Sequence, residues 1–153
     1  MKLERICSFN SADGHVGRIE PGIDASSVVK AGNRIFMSGQ TGQPVRGLLP
    51  DTTDPAELAE RAMESVSALL DQAGATLADV CKVTTWITDK AYRPAVYNSV
   101  NRFLSVQPTV GTGIVTKGLA LPGMMCNLGI EAVISGPRDH KRFREFDTAQ
   151  WFN

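Results

Sequence analysis

The side chain in this sequence best placed to do chemistry is Glu131, which interrupts an otherwise apolar segment at residues 127–135. The segment alternates as a β-strand does, and the face opposite the glutamate carries the aliphatic residues Leu128, Ile130, Ala132 and Ile134. A carboxylate on such a strand is costly unless it is solvated in a cleft, paired or protonated. Two roles stay open for Glu131: a polar group held at a subunit interface, or a base that orients water.

Other reactive side chains fit no nucleotide-binding or serine-hydrolase motif. The glycines and lysine at residues 111–118 lack the spacing of a phosphate loop, and the dinucleotide-binding fingerprint is absent as well. Ser38 lies outside the glycine-flanked elbow of the hydrolases, and neither His15 nor His140 is placed as its base. The sequence therefore argues against nucleotide binding and against a serine triad.

Cysteine and histidine usage indicates a protein without a metal. The three cysteines, Cys7, Cys81 and Cys126, are odd in number and widely separated, which is typical of reduced thiols in a cytosolic protein. Neither histidine lies near a cysteine or a carboxylate at metal-ligand spacing. We therefore expect no metal site and no other cofactor.

Length and charge limit the class of protein further. Sixteen basic and sixteen acidic side chains cancel, so the basic face of a dedicated nucleic-acid binder is not expected. No segment has the roughly 20 consecutive apolar residues of a membrane span, and the amino terminus lacks the apolar stretch of a signal peptide. We expect a cytoplasmic protein with a single domain over residues 1–153, whose aromatic and charged tail at 137–153 docks on the body or on a neighbouring subunit.

The first half of the chain predicts a hairpin followed by a capped helix. Residues 28–42 contain two β-rich runs around Gly32 and Asn33, which tolerate the backbone of a tight turn. After a polar loop at 43–53, Asp54 and Pro55 supply a helix cap and a first-turn proline, with a glutamate three residues after the cap. The predicted helix carries apolar residues at three- and four-residue spacing and ends at Gly74.

The second half predicts three more strands and one more helix. Strands are expected at residues 81–89, 109–117 and 127–135, and a helix is expected to begin near Pro94. The inner face of this helix should carry Val96, Val100, Phe103 and Leu104. The resulting order, β-β-α-β-α-β-β, is an α+β fold in which two helices cover one face of the sheet. The other face must be buried by something else, and we expect that to be another subunit.

Several of these segments together resemble the YjgF/RidA family, also described as L-PSP endoribonuclease-like proteins. The resemblance spans roughly residues 20 to 136 and is carried by VVKAGNRIFMSGQTG, LLDQAGATLADVCKVTTWITD, Pro108 and LALPGMMCNLGIEAVIS. It implies a chorismate-mutase-like fold assembled as a homotrimer, whose sheets line a central barrel and whose clefts lie between subunits. That arrangement accounts for the uncovered face of the sheet.

The resemblance also implies an activity, the hydrolysis of reactive enamines and imines to 2-keto acids and ammonia. In catalytically competent members an arginine two residues after a proline binds the substrate carboxylate, and a glutamate on the last strand orients the attacking water. By this resemblance Glu131 matches the glutamate, Asn98 a helix asparagine near the cleft, and Ser38 and Gly39 the serine and glycine of the hairpin. These residues, with Val110, make up the expected catalytic and small-molecule binding site.

The sequence departs from the family where the carboxylate should be bound. Val110 stands at the position of the arginine, the tyrosine usual before the hairpin is missing from residues 21–26, and extra residues lie between 110 and 122. Bidentate arginine is the natural partner of a carboxylate, and losing a desolvated contact of this kind costs about 2 to 5 kcal/mol. Lys117 and Arg46 are the candidate replacements.

Three functions follow from these residues. The first is a Rid-type hydrolase that acts on an enamine, imine or related metabolite other than the usual 2-iminopropanoate. The second is a noncatalytic small-molecule-binding or regulatory trimer, and the third is an unchanged imine deaminase. Ribonuclease activity has no support, because neutral charge and the lack of a histidine pair do not suit phosphodiester acid-base chemistry.

Overall fold

The computed structural model describes residues 3–9, 25–42, 52–105, 108–120 and 122–136. Within them the chain forms six strands and two α-helices: β1 (Leu3–Phe9), β2 (Ala25–Ala31), β3 (Arg34–Gln40), α1 (Pro55–Gln72), β4 (Val80–Ile87), α2 (Arg93–Leu104), β5 (Val110–Val115) and β6 (Cys126–Val133). Short 3₁₀ turns precede β4 and α2. The predicted α+β order is confirmed, with one additional strand at its start.

All six strands join one mixed sheet in the order β1-β2-β3-β6-β4-β5. The β4–β5 pair is parallel, and the other pairs are antiparallel. The last strand of the chain, β6, therefore lies in the middle of the sheet between β3 and β4. Strands β3, β4 and β5 run in the same direction, so they all begin at the same edge of the sheet.

The long helix α1 begins at Asp54, as predicted. The Asp54 carboxylate accepts a hydrogen bond from the backbone N–H of Ala56 at 2.9 Å. The glutamate three residues after the cap, Glu57, is expected from the sequence to complete the cap. It pairs instead with Arg61, one turn further along the helix. The helix ends at Gln72, and Gly74 follows its C-cap with a φ of 73°, a left-handed conformation that glycine adopts without strain.

A second glycine fixes the chain between the hairpin and α1. Gly42, just after β3, has φ of 71° and is buried against the helix. A Cβ placed on Gly42 would lie 2.1 Å from the backbone oxygen of Leu58. Only glycine allows this close approach, so the end of β3 and the first turns of α1 are held together by backbone contact.

The two helices pack on one face of the sheet and enclose the core there. The inner face of α2 is as predicted for Val96, Val100 and Leu104, and Phe103 is half-buried against the core. Ser99 is also buried, and its hydroxyl donates to the backbone oxygen of Ala56 on α1 at 3.2 Å. The core side of β6 is formed by Cys126, Leu128, Ile130 and Ala132, each about 1 % exposed or less.

The opposite face of the sheet has no helix over it, and we call it the helix-free face. Its side chains come from the alternate positions of the same strands. Large apolar side chains on it are exposed in the isolated chain: Phe36 is 45 % exposed, Val110 65 % and Ile114 40 %. Two helices for at least five strands predict an uncovered face of this kind.

Strand β1 was not predicted. It pairs with β2 from Leu3↔Ala31 to Phe9↔Ala25, although two consecutive charged residues, Glu4 and Arg5, stand near its start. An edge strand can carry these charges because one side of it faces water. His15, Arg46, His140 and the tail at 137–153 lie outside the described residues.

Candidate functional site

Glu131 lies on the helix-free face, in the middle of the sheet. Alternation along β6 places it opposite the core residues Ile130 and Ala132, as predicted. Its carboxylate Oε1 accepts a hydrogen bond from Lys82 Nζ on the neighbouring strand β4 at 2.6 Å. The two side chains are 45 % and 41 % exposed. Glu131 is therefore a paired but solvent-accessible carboxylate.

Val110 lies one strand further along the same row. The Cα partner of Lys82 on β5 is Val110, and its partner on β6 is Glu131. Val110 also lines an open cavity of about 400 Å³ at the edge where β4 and β5 begin, together with Cys81, Thr109 and other residues at the ends of these strands. Val110 is thus separated from Glu131 by a single lysine.

Ser38 and Gly39 occupy an irregular stretch of β3. The register with β6 shifts between the pairs Met37↔Ile130 and Gln40↔Leu128, which leaves an extra residue on β3. The Gln40 side chain donates to the Ser38 carbonyl at 2.9 Å. Ser38 lies in this bulge and is exposed, as Phe36 is two residues earlier on the same strand.

Gly39 makes room for Asn127. A Cβ on Gly39 would lie 1.9 Å from Asn127 Oδ1, so any larger residue there would require the Asn127 side chain to move. Asn127 Oδ1 is itself buried, and it has no hydrogen-bond partner among the residues that the structure describes. The side-chain oxygen of Asn127 therefore lies next to Gly39, one of the predicted site residues.

Asn98 is exposed on α2, in the helical layer and not on the helix-free face. Its neighbour Tyr97 approaches the sheet instead. The phenol oxygen of Tyr97 lies only 1.6 Å from where a Cβ on Gly113 of β5 would be. The Arg93 guanidinium stacks over the Tyr97 ring, 5.3 Å from its centre.

Lys117 lies at the other end of β5 from Val110. It lines a separate open cavity of about 480 Å³ with Tyr92, Leu119 and residues 122–125. Strand β5 alone, from Val110 to Val115, spans roughly 16 Å at about 3.3 Å per residue, and Lys117 follows its far end. Within one chain, therefore, Lys117 does not stand beside Val110.

The described cysteines differ in environment. Cys126 is fully buried, and burial raises the pKa of its thiol to about 11, so the thiol stays protonated at neutral pH. Cys81 is exposed, and its thiol donates to the backbone oxygen of Glu131 at 3.2 Å. Over the described ranges no three histidine, cysteine or acidic side chains cluster as metal ligands would. None of the helices seen in those ranges is long and apolar enough to cross a membrane.

The structure therefore brings together some of the predicted site residues. Glu131 and Val110 share one row, Ser38 and Gly39 lie on the adjacent strand β3, and Asn98 lies apart in the helical layer. Sequence reasoning missed Lys82. The alternation of residues 82–87 was a usable signal, because it places Lys82, Thr84 and Trp86 on one face.

Comparison with known proteins agrees with this architecture. The family model described as Endoribonuclease L-PSP matches residues 18–116. A RutC family protein of Pyrococcus abyssi is 40 % identical over 70 residues, which are 42 % of this chain and 50 % of that protein. A 2-iminobutanoate/2-iminopropanoate deaminase of Dermatophagoides farinae is 29 % identical over 96 residues, 60 % of this chain and 75 % of that protein. The chain thus spans about half the length of the first of these relatives.

The fold is shared with a solved structure. A YjgF/YER057c/UK114 family protein from Mycobacterium tuberculosis superposes with a TM-score of 0.70, covers 87 % of this chain and 100 % of its own, and is 22 % identical. An identity this low shows the fold alone, whereas the family model covers well over half of the sequence. Together with the mixed sheet and its two helices, these matches show that the chain belongs to the endoribonuclease L-PSP family, also called the YjgF/RidA family.

Proposed function

We propose that the protein is a Rid-type hydrolase that acts on a small enamine, imine or related metabolite in a cleft between subunits. The observation that supports this most directly is the accessible carboxylate of Glu131 on the helix-free face, in the same row as Val110. Deaminase relatives at about 30 % identity support the reaction class. The absence of a cation at Val110 supports a substrate other than 2-iminopropanoate.

The proposed reaction is the hydrolysis of a C=N bond. Water adds to the carbon of the C=N bond, a proton moves to the nitrogen, and the resulting carbinolamine releases ammonia to leave a carbonyl group. Glu131 Oε1 is held by Lys82, so the second oxygen, Oε2, is the atom that accepts a hydrogen bond from the attacking water. Ser38 and the backbone at Gly39 line the approach to the substrate from β3.

The assembly that we propose is a homotrimer. The helix-free face exposes Phe36, Val110 and Ile114 in the isolated chain, and apolar side chains grouped in this way are typical of interaction surfaces. Copies of the chain packed around a central barrel would cover part of this face and leave clefts between subunits, in which the side chains beside Glu131 stay open to a ligand. The widely spaced cysteines support a cytoplasmic location.

A noncatalytic small-molecule-binding trimer is the second candidate, and one observation favours it. Glu131 already has a partner in Lys82, and a paired carboxylate can be a purely structural group at a subunit interface. The two functions predict different behaviour of one variant, Glu131→Gln. Only in the enzyme does this variant lose turnover while it retains ligand.

The test is ammonia release from a panel of freshly generated imines, including neutral and partly apolar ones. We expect the unmodified protein to accelerate at least one of them and Glu131→Gln to lower that rate about 100-fold or more. Glu64→Gln, an exposed change on α1, is the matched control and should keep the full rate. If no imine reacts faster with the protein than without it, the hydrolase proposal is wrong and the binding function stands.

A further inference from the structure

Four side chains form a continuous row across the helix-free face. The strand register joins Phe36 to Glu131, Glu131 to Lys82, and Lys82 to Val110. The two central side chains are an ion pair, and the two outer ones are exposed apolar groups. A ligand lying along this row would meet an apolar group, a donor and acceptor side by side, and another apolar group.

The ion pair is neutral as a unit but strongly polar. Lys82 Nζ has three N–H donors, of which one is directed to Glu131 Oε1 at 2.6 Å. Glu131 Oε2 has no hydrogen-bond partner among the residues that the structure describes. Because both side chains are more than 40 % exposed, a ligand can reach the remaining donors of Lys82 and the acceptors of Glu131 together.

A carboxylate does not fit this arrangement well. It offers only acceptors, so one of its oxygens can bind Lys82 while the other faces the carboxylate of Glu131. In family members with an arginine at position 110, as the resemblance implies, the guanidinium would bind both oxygens. In this chain Val110 supplies no charge, and the single lysine is shared with Glu131.

A carboxamide has the complementary pattern. Its carbonyl oxygen accepts and its N–H group donates on the same side of the group, which suits a lysine donor and a glutamate acceptor whose Nζ and Oε1 atoms lie 2.6 Å apart. It also carries no charge, so it does not disturb the balance of the ion pair. Phe36 and Val110 lie three strand spacings apart, roughly 14 Å, so an apolar body attached to the amide would contact one of them.

We propose that Lys82 and Glu131 together recognise a neutral carboxamide group, and that the ligands of this protein are primary amides with an apolar body. The proposal deepens the proposed function, because it names the substrate class of the same site, an imine or enamine that carries an amide in place of a carboxylate. Lys82 is then a ligand-binding residue, and Glu131 Oε1, beside the lysine, accepts from the amide N–H while Oε2 orients water.

The experiment compares two unreactive probes of the same shape, benzamide and benzoate. Their affinities for the full chain in its natural assembly are measured by calorimetry or by NMR titration. We expect benzamide to bind about tenfold more tightly than benzoate. Since neither probe reacts, this result does not depend on turnover.

Two variants test whether the ion pair sets this preference. Glu131→Gln removes the repulsion and leaves Lys82 free, so the preference should reverse in favour of benzoate. Lys82→Gln should weaken benzamide about tenfold, and Lys82→Arg should restore most of its affinity. Glu64→Gln and Lys90→Gln are exposed single-charge controls away from the row, and they should leave the ratio unchanged.

The proposal is wrong if benzoate binds the unmodified protein as tightly as benzamide, if benzamide does not bind, or if Glu131→Gln leaves the ratio unchanged. Loss of fold is excluded by comparing the circular dichroism of each variant with that of the unmodified protein. Failure of the proposed hydrolase would show differently, as a normal amide preference without turnover of any imine.

Discussion

Replacing Val110 with arginine should restore a carboxylate-binding group and thereby create activity on 2-iminopropanoate. The side chain at this position is 65 % exposed on the helix-free face, so a longer one meets no wall within the chain. The adjacent Gly111 is equally open, since a Cβ there would have no atom within 4 Å. The structure thus provides room for the guanidinium.

The size of the effect follows from exposure and charge. A desolvated guanidinium–carboxylate contact that is truncated costs about 2 to 5 kcal/mol. At a position as exposed as Val110, solvent screens much of that interaction, so we expect the lower end of this range or less. A gain of about 1.4 to 2 kcal/mol corresponds to a rise of about 10- to 30-fold over the rate seen with the unmodified protein.

The assay is coupled detection of ammonia from freshly generated 2-iminopropanoate. The unmodified protein should give the rate of the uncatalysed reaction, and Val110→Arg should exceed it. Val110→Gln, which adds length and polarity without charge, is the matched control and should stay at the uncatalysed rate. If the unmodified protein accelerates the reaction strongly and Glu131→Gln abolishes that acceleration, another residue already supplies the cation and the reasoning from Val110 is refuted.

Three further predictions concern stability and assembly. Because burial raises the pKa of Cys126 to about 11, the unfolded chain loses this proton first, and the free energy of unfolding should fall by up to about 3 kcal/mol as the pH rises from 9.0 to 11. Urea titrations should show that Cys126→Ala removes this slope and Cys81→Ala does not. In thermal unfolding, Gly42→Ala should be more destabilising than Gly74→Ala by about 1 to 3 kcal/mol, because at Gly42 the added Cβ also overlaps a backbone oxygen. At Gly74 only the left-handed backbone is strained, and equal losses for the two variants would contradict this reasoning. Light scattering at micromolar concentration should give three times the chain mass of 16.5 kDa, and a monomer mass would overturn the trimer.

Local sequence signals sufficed for the elements that are stabilised by local interactions. The cap at Asp54, the proline after it and Gly74 mark both ends of α1 within a residue or two. Alternation alone placed Glu131 on the face opposite the core, because side chains on a strand switch sides at every residue. These features depend on residues only a few positions apart.

The composition of the site depends on contacts between distant residues, and the sequence does not display them. Lys82 and Glu131 are 49 positions apart, and they meet only because β6 inserts between β3 and β4. Strand order of this kind is set by the packing of the whole sheet on its helices. The bulge at Ser38 and Gly39 likewise follows from pairing with β6, and no local signal indicated it.

The position of β6 at the centre of the sheet bears on how this protein can change over evolutionary time. Its even-numbered residues, 126 to 132, build the core, and its odd-numbered residues, 127 to 133, face the open side. Substitutions at odd positions can therefore alter ligand preference while the core is unchanged. A deletion or insertion of one residue would exchange the two sets, placing Glu131 in the core and an aliphatic side chain beside Lys82. New specificities in this strand should arise by point substitution, and variation in length should be confined to the loops at its ends.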